Sequence, residues 1–480
     1  MQPNYAILGK RSWPLPPYNL ALLKAILGEM LDVTIIDFND SADNEQVMTA
    51  KLRELNPTYV GITSFSTEYN KEIHHHVKIV RQALPEARII LGGVYPTIQP
   101  HLAMEDPDVD YCLLGEGEER MATLIDHLKT GEPLPHDGFA FRKDGRVEIH
   151  EPLRFIQDLD RFPLPDYGDL DVAAYGAKPI KFAQGLIARQ YPYGVTITSR
   201  GCPFKCIFCA GRTISGSKVR LRSAENVMEE VKWMNEKYGI KEVIFLDDHF
   251  LHRRDRAEQI MRGIRDLGLG MTWKCVNVAV FALDEALLDL MKETGCYQIT
   301  LSIESGVEST LRDIILKPVD LEQARRMVAY AQSIGIEVIS NFVIGFPGET
   351  WDNIRKTIAY ADSLNLDLVN FHIATPLPKT RLMEICLEHG FVSSMDDQTG
   401  YTEGVVETDE WSSRDLQILR AYEWDRINFS SPEKIATIAR MQALTVEEVD
   451  VWRRNTRRRL GSTKEFKTML QQSAREERYP

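Results

Sequence analysis

Apolar residues alternate with polar ones in short β-like runs, separated by stretches where they recur at helical spacing. In the first third, residues 5–8, 33–37, 59–64, 88–92 and 111–114 read as strands, and residues 20–31, 44–55, 70–83 and 101–104 as helices. Strand–helix alternation of this kind predicts a doubly wound α/β sheet of Rossmann or flavodoxin type, with its ligand edge at the strand C-termini. A second series follows. Residues 193–199, 242–246, 298–303, 337–344 and 368–374 read as strands, and residues 224–238, 283–292, 321–333 and 351–364 as helices. Such alternation predicts parallel strands with right-handed crossovers and function at the C-terminal strand ends. Beyond residue 390 only helical spacing remains, at 411–426, 432–441 and 445–460. The expected division is 1–130, a connector over 131–188, 189–390, and a small α-helical segment over 391–480. The connector is rich in Pro, Gly, Asp and aromatics but keeps its apolar residues, so it reads as ordered.

Composition narrows the class. A hydrophobic share of 44% is ample for buried cores. No apolar run approaches the roughly 20 residues that span a bilayer, and no signal peptide opens the chain, so a cytoplasmic protein is expected. With 57 basic against 70 acidic side chains, net −13, broad nucleic-acid binding is not expected. The last helix carries Arg453, Arg454, Arg457, Arg458 and Arg459; a solvated face is its default reading.

Chemistry concentrates in Ser199-Arg-Gly-Cys-Pro-Phe-Lys-Cys-Ile-Phe-Cys-Ala-Gly211. Cys202, Cys206 and Cys209 have the spacing C-x-x-x-C-x-x-C, which lets one tight loop ligate three irons of a four-iron cubane and leaves the fourth iron open to a small molecule. Zinc would need a fourth ligand and has no C-x-x-C or H-x-x-x-H partner here. Seven cysteines without an even framework do not read as disulfides. Cys112, Cys275, Cys296 and Cys386 are single and read as buried thiols.

With Phe208 in the aromatic slot, this motif resembles that of the radical S-adenosylmethionine (radical SAM) superfamily. The resemblance implies a partial (β/α)6 barrel, a [4Fe-4S] cluster on the three cysteines, and S-adenosylmethionine chelating the open iron and cleaved to a 5′-deoxyadenosyl radical. It places Ser302 and Glu304 of Ser-Ile-Glu-Ser-Gly at the cofactor's ribose. Asn341 and Gly345 of Asn-Phe-Val-Ile-Gly-Phe-Pro-Gly-Glu fall at its adenine, although Asn341 stands where the family has glycine. The family's Gly-Gly-Glu run is absent, and Asp247-Asp248-His249 occupies its place, with Asp248 the candidate cofactor contact. His249 and His252 read as loop histidines.

The first domain carries no G-x-G-x-x-G, so a nicotinamide cofactor is not indicated. Placed before a radical SAM core, it is similar to cobalamin-binding domains. Ser64 and Ser66 of Ser-Phe-Ser, the Gly92–Gly93 pair, and Gly115, Glu116 and Gly117 of Leu-Gly-Glu-Gly-Glu are the matching pieces. Glycines admit a large flat ligand close to the backbone. The D-x-H-x-x-G segment that supplies a histidine below cobalt is missing, so the resemblance implies cobalamin without that ligand. Residues 162–167 resemble the usual connector. The run His74-His75-His76 points three ways on a helix and reads as a solvated face.

Taken together, these residues imply a cobalamin-dependent radical SAM enzyme. The leading expectation is a methyltransferase acting on an unactivated carbon of a small molecule or lipid through methylcobalamin, with a reductant such as flavodoxin or ferredoxin as electron donor. The alternatives are an oxidative cyclase forming the isocyclic ring of a tetrapyrrole, and a non-catalytic cobalamin or cluster sensor. No acid or base is expected among the catalytic groups, because hydrogen abstraction needs none.

Overall fold

The computed structural model describes residues 1–8, 15–39, 45–176, 186–392, 401 and 404–459. Two sheets organise it. In the first, β1 (Tyr59–Ser64), β2 (Arg88–Gly93) and β3 (Tyr111–Leu113) run parallel, and the antiparallel hairpin β4 (Phe139–Lys143) and β5 (Arg146–His150) extends the β3 edge. The second sheet has the order β13-β12-β11-β10-β9-β6 and is parallel throughout. Its strands are β6 (Tyr193–Thr196), β9 (Glu242–Phe245), β10 (Thr272–Val278), β11 (Cys296–Glu304), β12 (Glu337–Ile344) and β13 (Leu368–Ile373). A two-stranded ribbon, β7 (Ser199–Arg200) with β8 (Arg220–Leu221), sits between β6 and β9. Each strand of the large sheet pairs with its neighbour in the sequence, the winding of an open barrel.

Helix starts follow local chemistry. Ser223, Asp284, Asp320 and Thr350 each accept a backbone N–H of the first turn, and Thr350 with Asn353 forms a reciprocal capping box. The helices Ala224–Tyr238, Glu285–Glu293, Leu321–Ser333 and Trp351–Ser363 bury one apolar face each against the large sheet.

Several expectations need correcting. Residues 5–8 form a turn, because the Asn4 side chain accepts the Ala6 N–H and its carbonyl accepts that of Ile7. Residues 33–37 form only one bridge, Asp37 with Gln2, and the Gln2 backbone lies between residues 36–38 and the edge of β1. Residues 131–188 are more than a connector, since they supply β4 and β5. The strand β10 was not among the predicted ones. His76 is buried against Asn4, not solvated, and burial pushes its imidazole down to about 4. His74 bonds Asp106 and Tyr95, and His75 bonds Glu45, so the three rings do diverge. Asn44, residues 177–185 of the connector, residues 393–400 and residues 460–480 lie outside the described residues.

Helices Ser413–Asn428, Pro432–Met441 and Val446–Arg459 follow the sheet. Their buried Leu416, Trp424, Ile427, Ile438 and Val449 join the same apolar cluster as the barrel strands. Asn428 exchanges two 2.8 Å bonds with the Val369 backbone, capping the open edge strand β13. Arg453 and Arg457 both bond Asp425, so part of the basic helix is tied inward. No helix among the described residues is long and apolar enough to cross a membrane.

Candidate functional site

The cysteine loop leaves the ribbon at Gly201, whose φ of +92° and tight approach to the Lys218 carbonyl exclude a side chain. Its base is closed by the Cys202 N–H bonding Gly216 O at 3.1 Å. Cys209 N–H donates to Cys206 O, and Gly211 N–H donates to Cys209 Sγ at 3.3 Å. Ile207 is held on both sides, its N–H by Ile315 O and its carbonyl by Leu382 N–H. Phe208 packs its ring 5.6 Å from that of Phe346, joining the loop to the end of β12. Burial raises all three thiols, Cys206 to about 12, while the charges of Lys317 and, at Cys202, Arg212 oppose it. Thiols raised in this way give up their protons when they bind a metal cluster. No three described His, Cys, Asp or Glu side chains converge on a single ion; a cubane needs no such convergence, since each thiolate takes its own iron. The donor set fits that group. The four remaining cysteines are buried, as expected.

Around the loop, the strand ends converge. Asp247 is buried and fixed by Thr198 and Ser199, whose hydroxyls donate at 2.7 and 2.6 Å. Burial raises its carboxyl. It pins the start of the ribbon; the neighbouring Asp248 is solvent-accessible and its carboxylate bonds Gly201 and Ser215, while desolvation by the surrounding protein and the charge of Asp247 raise it as well. The Asp248 carbonyl accepts from Asn277 Nδ2, and Ser302 Oγ donates to Asn277 Oδ1, so three strand ends are linked by one amide. Asn341 accepts from Asn370 across β12 and β13. Glu304 sits at a bulge of β11 with φ +71°, a strained backbone for a non-glycine residue, and ion-pairs with Lys317 at 2.7 Å. Gly345 has φ +85°; its N–H and that of Phe346 both bond Glu349 Oε2, while Glu349 Oε1 is buried without a partner. Burial pushes Glu349 up to about 7. The His249 ring packs against Phe204, Phe281 and His252, and burial keeps it neutral, near 4.

Sequence reasoning missed Asn277 and Lys317. Asn277 lies on the unpredicted β10, and Lys317 follows a π-helical turn and Leu316 at φ +61°. No spacing rule signals either residue.

The edge of the small sheet brings together the other set. Ser64 pairs in register with Gly93, and Ser64 Oγ donates to Ser66 O. Ser66 caps the short helical turn Thr67–Tyr69 through the Glu68 N–H. Gly93 has φ +92°, and a Cβ there would overlap the Ser64 carbonyl. Gly92 and Gly117 would meet nothing within 4 Å if they carried a Cβ. That open, side-chain-free edge is what a corrin requires, so the residues fit the group. Gly115 N–H donates to Thr97 Oγ1. Glu116 is engaged elsewhere: its carboxylate bonds Arg220 at 2.7 and 2.9 Å. Lys379, beyond β13, donates to Thr97 O at 2.8 Å, so both sheets' ligand edges meet at this seam.

A three-thiol loop on an open parallel barrel, joined to a glycine-edged α/β sheet, defines a protein that pairs an iron–sulfur site with a second, flat-ligand domain. Comparison with known proteins gives the same class. Residues 196–361 match the radical SAM superfamily and residues 6–125 the B12 binding domain. An uncharacterised methyltransferase of Pyrococcus horikoshii is 33% identical over 383 residues, covering 79% of this chain and 80% of the relative. The cytidylyl-2-hydroxyethylphosphonate methyltransferase of Streptomyces wedmorensis is 30% identical over 403 residues, covering 77% and 74%. The structure of the cobalamin-dependent S-adenosylmethionine radical enzyme OxsB with aqua-cobalamin bound superimposes with a TM-score of 0.70 at 16% identity, over 96% of this chain and 73% of that one, and shows the shared fold. The chain belongs to the radical SAM superfamily, carries a B12 binding domain as well, and shares its family with the Pyrococcus horikoshii relative.

Proposed function

We propose that the protein is a methyltransferase that places a methyl group on an unactivated carbon of a small-molecule or lipid substrate, with a flavodoxin- or ferredoxin-type reductant as electron donor. The observation that carries the reading is the seam itself. The open glycine edge at Gly92 and Gly117 is tied to the ribbon at the base of the Cys202–Cys209 loop through Glu116–Arg220, and to the barrel beyond β13 through Thr97–Lys379. When bound, the cluster with S-adenosylmethionine would supply radical chemistry and the corrin a methyl carrier. The chain's own part is to hold these groups in register. Cys202, Cys206 and Cys209 would hold the cluster, with Phe208 locking their loop. Ser302 and Glu304 would face the cofactor's ribose, Asn341 and Gly345 its adenine, and Asp248 its methionine end. Ser64, Ser66, Gly92, Gly93, Gly115 and Gly117 would shape the corrin bed, and no histidine of a D-x-H-x-x-G segment would lie below it. Both relatives described above carry methyltransferase names, which favours methyl transfer over ring closure.

Protein reconstituted without oxygen and reduced with dithionite is expected to release 5′-deoxyadenosine from S-adenosylmethionine, and Cys206→Ala to abolish that release. Release from the variant would refute the assignment of the loop. Purification with added cobalamin is expected to give bound corrin absorbance; its absence would remove the methyl-transfer reading.

A further inference from the structure

The ribbon at the base of the cysteine loop has an arrangement that two strands alone would not favour. Arg200 on β7 lies directly opposite Arg220 on β8, and like charges facing across a ladder repel. Both guanidinium groups are largely buried, with side-chain exposures of 17% and 3%. Their counter-charges come from the start of the helix that follows β3, in the other domain. Arg220 Nη1 holds both oxygens of Glu116, and Arg200 reaches Glu116 at 3.3 Å and Glu118 at 2.5 Å. The Glu116 Oε2 also accepts the Ile156 N–H at 2.7 Å, and its backbone carbonyl accepts from Arg120. Burial alone would raise Glu118, and Arg200 overrides it, holding its carboxyl below the usual range.

Sequence position gives this cluster its meaning. Glu116 and Glu118 flank Gly117, on the open glycine edge. Arg200 is two residues from Cys202, and Arg220 ends the return of the same loop. A buried guanidinium with two carboxylate partners is rigid and directional, so displacement of one loop is transmitted to the other.

We propose that Glu116, Glu118, Arg200 and Arg220 are positioning residues that set the distance and orientation between the corrin bed and the cluster loop. Their part is to position, not to react. Glu116–Arg220 is the more deeply buried half of the device, braced by Ile156, and Glu118–Arg200 the less deeply buried half. The inference rests on the functional reading above, because it needs both groups to bind.

The test is a distance. Protein loaded with the cluster and with cob(II)alamin is reduced to the point where both centres are paramagnetic, and their dipolar coupling is read by pulsed electron paramagnetic resonance. Wild type is expected to give one narrow distance. Glu118→Gln, which keeps the volume and removes the charge, is expected to broaden or shift it while corrin uptake and 5′-deoxyadenosine release stay within about twofold of wild type. Arg200→Lys, which keeps the charge and loses the fork, is expected to fall between them. The coupling comes only from molecules holding both centres, so partial misfolding does not mimic the effect. An unchanged distance in both variants overturns the proposal and leaves the functional reading intact. Loss of corrin uptake or deoxyadenosine release in both variants also overturns it, by showing a role in folding. Absence of bound corrin in wild type overturns both.

Discussion

Adjacent glycines on one strand end offer a sharp test of the corrin bed. Gly92 would present a new methyl to open space, whereas at Gly93 it would overlap the Ser64 carbonyl and lie 3.0 Å from that residue's C and N atoms. Gly93 also has φ +92° and ψ −155°, a region closed to residues with a Cβ. Gly93→Ala therefore carries backbone strain of about 1–3 kcal/mol, together with a clash against a paired strand that cannot yield. A total loss of roughly 3 kcal/mol or more is expected. Gly92→Ala carries neither penalty. Alanine in a strand is favoured over glycine by roughly 0.5–1 kcal/mol, so the apoprotein is expected to be as stable as wild type or slightly more so. Its methyl occupies the space where the flat ligand must lie, and corrin affinity is expected to fall by at least about tenfold, roughly 1.4 kcal/mol. Urea unfolding of the apoproteins, followed by circular dichroism, measures the first quantity; titration with cobalamin by visible absorption measures the second. Corrin binding by Gly92→Ala with wild-type affinity would refute the placement of the ligand on this edge. A Gly93→Ala protein as stable as wild type would refute the strand-end geometry.

Glu349 makes stability depend on pH. Its carboxyl is raised by burial from 4.5 to about 7, so the folded state holds the proton more tightly than the unfolded chain. The stability this gives is complete below about pH 4.5 and is lost as pH rises through about 7, on the order of 3 kcal/mol in all. In Glu349→Gln that slope is expected to vanish, and parallel urea midpoints of the two proteins at pH 5 and pH 8 would contradict the argument. Lys317→Ala leaves the Glu304 carboxylate buried without its 2.7 Å cation and is expected to destabilise the apoprotein by about 3 kcal/mol. Adding Glu304→Gln is expected to recover much of that loss, and a double variant no better than the single one would show that the pair is not coupled.

The barrel was legible because most of its strands are apolar or β-branched and several are followed by helices with side-chain caps. The exception, β10, has Trp, Lys, Cys and Asn in place of a clean alternation, and its buried Lys274 donates to Ile187 O, ahead of β6, and to Gln298 on β11. Residues 5–8 misled for the opposite reason: four apolar-rich positions fit a strand, yet a single Asn4 side chain turns them. The three cysteines of the loop could be singled out by spacing alone. Glu116 could be singled out by its glycine neighbours, but nothing local says that its carboxylate faces Arg220, 104 positions away.

By itself, the sequence determined the three-thiol loop and the succession of strands and helices, because cysteine spacing and side-chain period are properties of neighbours in the chain. Tertiary structure alone decided that the two arginines of the ribbon borrow their counter-charges from the other domain, that Lys317 pairs with Glu304 across a π-helical turn, and that the C-terminal helices complete the barrel core and cap β13. Those contacts are made between segments far apart in sequence, and buried charge and apolar surface select them only once the chain has closed on itself.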